Sequence, residues 1–175
     1  YTGTGTFKND PPSQNLRAIA NLYPENLHIV VRKDAGIRRV RDLIGKRVSI
    51  DEPGSGTLID AELILGAYGI SKADLAIEYM KPGVAIERIR SDQLDAFFVV
   101  VGYPSKAISE LASDTDVALL PSDGVEADRL VSRHQFFARD IIPTGTYKGI
   151  DQIATVSVGA QWLVSSAVDD ETVNQ

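Results

Sequence analysis

The sequence predicts an α/β fold with a mainly parallel sheet. Short apolar runs of strand length alternate along the chain with helical segments of roughly ten residues, which is typical of strands joined by crossover helices. The run LDAFFVVV, residues 94–101, has the composition of a strand that is buried on both faces. The 175 residues are 43% hydrophobic and 24% charged, enough for one ordinary domain with a core.

The first third of the chain predicts a loop, a strand, a short helix and a second strand. Residues 1–15 are rich in Thr, Gly, Asn and Pro, as loops are. Residues 27–31 (LHIVV) form a short apolar run with β-branched residues at its end, which predicts a strand. A turn and a short basic helix ending near Gly45 follow, and then the strand RVSI.

The rest of the chain repeats this alternation. Residues 60–68 show helical spacing of their apolar side chains and are closed by Gly69. The remaining predicted helices cover residues 83–93, 103–113 and 124–134. The remaining predicted strands cover residues 75–80, 94–101 and 117–121, and a last extended stretch covers residues 154–166 after a turn-rich segment at residues 141–153.

One stretch, PGSGT at residues 53–57, stands where a predicted strand passes into a helix. Helix N-termini at the carboxyl ends of strands are where α/β folds bind ligands, and their free N–H groups favour anions. Ser55 and Thr57 add hydroxyl groups, and either is a suitable helix cap. Gly54 and Gly56 lack the Cβ atoms that would hold a ligand away.

The residues around this loop exclude several anions. No lysine follows Thr57 as a Walker loop requires, and Ile59 stands where a dinucleotide fingerprint has its third glycine. Ser55 is flanked directly by glycines, which does not match the nucleophile motif G-x-S-x-G. Two interpretations remain open, a site for a small carboxylate and a tight turn with a helix cap.

Composition excludes other classes of function. The net charge of −6 argues against a nucleic-acid-binding surface, and the lack of cysteine excludes disulfides, thiolate catalysis and Cys-based zinc sites. We expect His28 to be a core histidine whose ring nitrogens are hydrogen-bonded. It lies too far along the chain from His134 to suggest a metal site. No apolar run approaches the ~20 residues that span a bilayer, so we expect no membrane insertion. We expect no metal and no cofactor.

Several stretches together resemble the TAXI family of extracytoplasmic solute receptors, which serve TRAP (tripartite ATP-independent periplasmic) transporters. The matching stretches, in order, are NLRAIANLYPENLHIVVRKDAGI, VRDLIGKRVSIDEPGSGT, DQLDAFFVVVGYP, LLPSDGVEADRLV and IPTGTYKGIDQIATVSV. The resemblance implies a type 2 periplasmic binding-protein fold, in which two α/β lobes close on a ligand. It also implies capture of a small organic acid, such as glutamate or a dicarboxylate, for membrane permease subunits.

The resemblance also implies a division of the chain into lobes. Residues 1–35 would be the end of lobe 1 with the first crossover, residues 36–140 lobe 2, and residues 141–175 the return crossover with part of lobe 1. The fold is then mainly the second lobe with part of the first. The chain begins with Tyr1 rather than Met, so we expect a piece of a longer periplasmic or extracytoplasmic protein whose signal peptide lies outside this sequence.

The ligand-binding residues that the resemblance implies form two loops and one tyrosine: Gly54, Ser55, Gly56 and Thr57; Gly102, Tyr103 and Pro104; and Tyr147. Family members often carry small residues near the position of Tyr103. A tyrosine there either narrows the pocket, donates a hydroxyl group to the ligand, or caps the sheet edge. Tyr147 either closes over the ligand or packs at the hinge. We expect Thr57→Val to weaken acid binding without unfolding the chain.

Binding requires no bond to be broken, and no motif supplies a nucleophile with its base, so we expect no catalytic residue and no enzyme activity. Two other classes stay open. One is an enzyme on the same fold, which would need acid–base residues from outside this chain. The other is a ligand-sensing domain of a regulator or receptor, which a DNA-binding or kinase segment upstream of residue 1 would indicate.

Overall fold

The computed structural model describes residues 15–169 and 172. The expected loop at residues 1–15 therefore lies outside the described residues except for its last member. Seven strands are formed: β1 Leu16–Arg32, β2 Arg47–Ser49, β3 Ala76–Glu78, β4 Ala96–Val101, β5 Val117–Leu119, β6 Phe137–Ile142 and β7 Ile153–Ser165. Four α-helices are formed in the same range: α1 Gly56–Ala67, α2 Pro82–Arg90, α3 Lys106–Asp114 and α4 Gly124–Arg133.

The chain divides into two compact units. The larger comprises residues 25–158, and the smaller comprises residues 1–24 with residues 159–175. Within the described part of the smaller unit, the first half of β1 and the second half of β7 are extended, and the Arg17 guanidinium donates to the carbonyls of Ser166 and Val168 at 3.0 and 2.6 Å. The division into lobes at residues 35 and 140 stays a prediction.

The sheet is mixed, so the prediction of a mainly parallel sheet is wrong in its pairing. The strand order is β3-β2-β4-β1-β7-β6, and β5 also pairs with β1. β2 pairs in parallel with β3 and β4, whereas β1 is antiparallel to β4 and β5, and β6 is antiparallel to β7. The alternation of strands and helices reports only the strands joined by crossovers. The direction of β1 is set by its pairing with β4 and β5, which the alternation of strands and helices along the chain does not encode.

Two apolar cores lie on the two faces of the larger unit. Alternate residues of a strand point to opposite faces, and β1 supplies Leu27, Ile29 and Val31 to one core and Val30 to the other. The first core holds buried residues of α1 and α4, and the second holds buried residues of α2 and α3. β4 is buried on both faces over its first half, as its composition predicts.

An ion pair fixes β2 against β4. The Arg47 guanidinium donates two hydrogen bonds to the Asp95 carboxylate at 2.6 and 3.1 Å, and the Arg47 backbone N–H donates a third at 2.9 Å. These bonds hold the pKa of Asp95 below its usual value. The ion pair aligns the starts of the two parallel strands, and the loops that follow the strands carry seven of the predicted site residues.

Three local predictions need correction. The short basic helix is instead two 3-10 turns, Lys33–Ala35 and Val40–Leu43, with Gly36 at a φ of +71° between them. Helix α1 begins at Gly56, four residues earlier than its apolar spacing predicts, because Ser55 caps it. Strand β6 was not predicted, because its burial alternates weakly and only its two end residues are buried.

Candidate functional site

The loop after β2 prepares the start of α1. Gly54 has a φ of +93°, a backbone conformation that residues other than glycine rarely adopt. The Ser55 N–H donates to the Glu52 carbonyl at 3.1 Å and closes the turn, and the Ser55 Oγ accepts from the Leu58 N–H at 3.1 Å. Ser55 is thus the helix cap that its residue type predicts, and Gly56 begins the helix.

Thr57 has a structural hydrogen bond in addition to its predicted role. The Val100 N–H of β4 donates to the Thr57 Oγ1 at 3.2 Å, and Thr57 is 8% exposed. β2 pairs with β4 only at Ala96 and Phe97, so Thr57 partners the edge of β4 beyond the end of β2. The hydroxyl proton makes no hydrogen bond to any described residue, so it can still be donated to a ligand.

The second predicted loop follows β4. The Tyr103–Pro104 peptide bond is cis, and Ser105 is the N-cap of α3 without a side-chain capping bond. Tyr103 is 36% exposed, so its side chain is partly accessible. Because β2 and β4 are adjacent and parallel, Gly54–Thr57 and Gly102–Pro104 follow carboxyl ends at the same edge of the sheet. Two predicted groups thus come to one edge, within the larger unit.

Tyr147 is placed differently from the other predicted residues. It is 2% exposed, and its hydroxyl accepts from the Ser105 N–H at 3.0 Å. The His28 Nδ1–H donates to the Asn26 carbonyl at 2.9 Å, so His28 Nε2 accepts from the Tyr147 hydroxyl at 2.9 Å. Tyr147 thus connects β1 to the start of α3, and its hydroxyl proton is already donated to His28 in this arrangement.

His28 is a satisfied core histidine, as predicted. Its side chain is fully buried, and both ring nitrogens have partners. Burial lowers its pKa from 6.5 to about 4, against the opposing effect of its bond to the Asn26 carbonyl, so the ring is neutral near pH 7. Neutral imidazole is the form that the hydrogen bond from Tyr147 requires.

Two buried polar residues of this region were missed. Asp60 lies in α1 at 8% exposure, and burial, assisted by the charge of Glu25, raises its pKa from 3.8 to about 6. Asn26 is fully buried, and its side-chain amide has no hydrogen-bond partner among the described residues. If the predicted helix had started at its cap, Ser55, the helical spacing of Thr57, Asp60 and Ala61 would have placed Asp60 on the buried face of α1.

Neither a metal site nor a membrane span is found where the structure describes the chain. Over residues 15–169 and 172, no cluster of His, Asp and Glu side chains has the geometry to hold a metal ion. Within the same residues, every helix is too short or too polar to cross a bilayer.

Comparison with solved structures identifies the fold. The aliphatic sulphonate-binding protein SsuA from Escherichia coli is 21% identical with a TM-score of 0.50, over 61% of this chain and 35% of that one. The GluR0 ligand-binding core in complex with L-glutamate is 11% identical with a TM-score of 0.50, over 93% and 57%. SsuA from Xanthomonas axonopodis pv. citri, bound to MOPS, is 24% identical with a TM-score of 0.47, over 61% and 36%.

The fold is that of a type 2 periplasmic binding-protein domain, as the sequence predicts. The chain spans between about a third and a little over half of the length of these solved structures. A family model matches residues 1–175, the whole sequence, and the chain belongs to the NMT1-like family.

Proposed function

We propose that this chain is part of an extracytoplasmic solute receptor that captures a small organic acid, such as glutamate or a dicarboxylate, for a TRAP transporter of the TAXI type. Membership of the NMT1-like family and the periplasmic binding-protein fold support a receptor. The E. coli protein of this fold is named for binding sulphonates, and the GluR0 core was solved with L-glutamate. Both ligands are small oxyanions.

The observation that carries the proposal is the start of α1. Gly54 and Gly56 leave open space around the backbone, and the hydroxyl proton of Thr57 has no acceptor in the described chain. The helix dipole and the first N–H groups of α1 favour an anion at this point. Of the first three helical N–H groups, only that of Leu58 is used by the Ser55 cap.

The loop at Gly102–Pro104 is proposed as the second contact surface. It precedes α3, whose N-cap makes no side-chain bond, so further N–H groups are free at the same sheet edge. Tyr103 is the exposed side chain of this loop and is proposed to narrow the pocket or to donate its hydroxyl. Tyr147 is proposed to act indirectly, by fixing the start of α3 through the Ser105 N–H.

The energies are sufficient for useful affinity. A hydrogen bond to a charged group contributes about 1.5–3 kcal/mol. Four such bonds at the upper end of this range contribute about 12 kcal/mol, and an association cost of about 4 kcal/mol, the lowest expected, then leaves roughly the 8 kcal/mol that corresponds to micromolar binding. The lobes are proposed as residues 1–35 with 141–175 and residues 36–140, and a ligand that contacts both favours their closed arrangement.

Blocking the start of α1 tests the proposal. A Cβ added at Gly56 or at Gly83 meets nothing within 4 Å, and neither residue has a positive φ. Gly56 is the first residue of α1 and Gly83 the second residue of α2, so Gly56→Leu and Gly83→Leu should have similar effects on folding. Calorimetric titration with carboxylates and sulphonates should show binding lost in Gly56→Leu and kept in Gly83→Leu. Equal binding in both variants would place the site elsewhere.

The transporter type is tested separately. Solute uptake by membrane vesicles that contain the permease, with the full-length receptor added, should proceed on an ion gradient in the absence of ATP. A strict requirement for ATP would contradict a TRAP transporter and leave the receptor function standing. Cell fractionation tests the proposed extracytoplasmic location by showing whether the full-length protein is exported from the cytoplasm.

A further inference from the structure

A buried carboxylate lies beside the proposed anion site. Asp60 is one helical turn after Thr57, and residues three apart lie on the same face of a helix. Both are buried, with 8% of their surface exposed. The Thr57 hydroxyl contacts Val100, so this face of α1 is turned towards the carboxyl end of β4.

Glu25 lies at the same end of the sheet. Leu27 is opposite Val100 in the antiparallel pairing of β1 with β4, and Glu25 precedes Leu27 by two residues. Side chains two apart in a strand share a face, so Glu25 and Leu27 both face α1. The negative charge of Glu25 acts on Asp60 and adds to the effect of burial in raising its pKa.

In the part of the chain that the structure describes, neither carboxylate has a cationic partner. Across residues 15–169 and 172, no Lys, Arg or His side chain forms an ion pair or hydrogen bond with Asp60 or Glu25. The lysine next to the loop, Lys81, is 3.6 Å from Glu52 and is thus paired. A carboxylate taken out of water without a counter-charge is costly, so the chain keeps Asp60 at a cost in stability.

The helix dipole does not account for Asp60. A carboxylate stabilised by a helix N-terminus has a lowered pKa. The pKa of Asp60 is instead raised to about 6, by burial first and by the negative charge of Glu25 second. A positive charge close to both carboxylates would offset the cost of burying Asp60 and its repulsion from Glu25.

We propose that Asp60, assisted by Glu25, binds a cationic nitrogen of the same ligand whose carboxylate lies at the start of α1. The inference rests on the proposed function and names its ligand class, a zwitterionic amino acid rather than a dicarboxylate or a sulphonate without an amine. Three residues of helix rise about 4.5 Å. Thr57 and Asp60 are therefore separated along the helix axis by a distance that suits a ligand whose carboxylate and ammonium groups are joined through one carbon atom.

Paired ligands that differ only in the amino group test this inference. The full-length protein is titrated in a calorimeter with L-glutamate and glutarate, with L-aspartate and succinate, and with taurine and ethanesulphonate. We expect at least one amino acid to bind tenfold or more tighter than its partner without the amine. Asp60→Asn should remove most of that difference, because the loss of one charge-assisted hydrogen bond reduces affinity by about tenfold or more.

The control is Glu62→Gln, which removes a carboxylate from the same helix at a position exposed to solvent and paired with Lys72. It should keep the preference for the amine. A preference that survives Asp60→Asn, or a dicarboxylate that binds as tightly as its amino acid, would overturn the inference and leave the receptor function standing. The absence of binding to every acid tested would overturn both this inference and the proposed receptor function.

Discussion

The hydrogen bond between Thr57 and Val100 gives the most direct prediction about stability. In Thr57→Val the side chain keeps its shape but loses its oxygen, so the Val100 N–H has no acceptor. An unpartnered buried donor costs about 1–3 kcal/mol. In Thr57→Ser the oxygen remains and only a methyl group is lost, which costs about 1 kcal/mol.

Urea denaturation measures both variants. We expect Thr57→Val to lower the free energy of unfolding by about 1–3 kcal/mol, with an unchanged slope against urea concentration. This corresponds to a decrease in Tm of about 2–4 °C per kcal/mol for a chain of this size. The variant should therefore stay folded, as the sequence predicts, but less stable. Wild-type stability in Thr57→Val, or a larger loss in Thr57→Ser than in Thr57→Val, would refute the role of the hydroxyl.

Three further predictions concern the same region. Tyr147→Phe keeps the ring but removes the hydroxyl that bonds to His28 and to the Ser105 N–H, so denaturation should show a loss of about 2 kcal/mol in the free energy of unfolding. A loss under about 0.5 kcal/mol would contradict the stabilising role of these two hydrogen bonds. Gly54→Ala should destabilise the fold by about 1 kcal/mol because of its φ of +93°, whereas Gly56→Ala, in a helix, should stabilise it by about 0.5–1 kcal/mol; changes of the same sign would be inconsistent with these backbone conformations. The third concerns pH. The folded pKa of Asp60 is raised, so its contribution to stability is present below pH 3.8 and lost as the pH rises through about 6. The folded pKa of His28 is lowered, so its contribution is present above pH 6.5 and lost as the pH falls through about 4. The two largely cancel in the wild type. Asp60→Asn removes only the Asp60 effect, so its stability relative to the wild type should grow by about 2.5 kcal/mol between pH 4 and pH 7. Stability curves that run parallel would show that Asp60 titrates normally.

Local signals in the sequence predicted much of the fold. The alternation of apolar runs with amphipathic segments identified α1 to α4 and most of β2 to β5, because each of these elements is specified by its own periodicity. Strand β6 was missed for the same reason, since its periodicity is weak. The antiparallel placement of β1 is set by its pairing with β4 and β5 and has no local signal.

The candidate site was predictable only in part. The cap at Ser55 and the turn at Gly54 follow from residue type and spacing, and both are found. The partner of Thr57 lies 43 residues away, and the partner of His28 lies 119 residues away, so neither hydrogen bond could be predicted from local patterns. Asp60 was overlooked because α1 was predicted to start at residue 60 rather than at its cap, so the helical spacing that buries its carboxylate was not recognised. The smaller effect of Glu25 depends on the register of β1, which has no local signal.

Calorimetric titration of the full-length protein tests the central claim most directly. The ligands are L-glutamate, L-glutamine, four- and five-carbon dicarboxylates and an alkanesulphonate, each titrated into the wild type and Thr57→Val. The account predicts that at least one acid binds the wild type with micromolar affinity and binds Thr57→Val about tenfold or more weakly. An acid that binds both proteins equally would contradict the site at the start of α1, and the absence of binding to any acid would contradict the receptor itself.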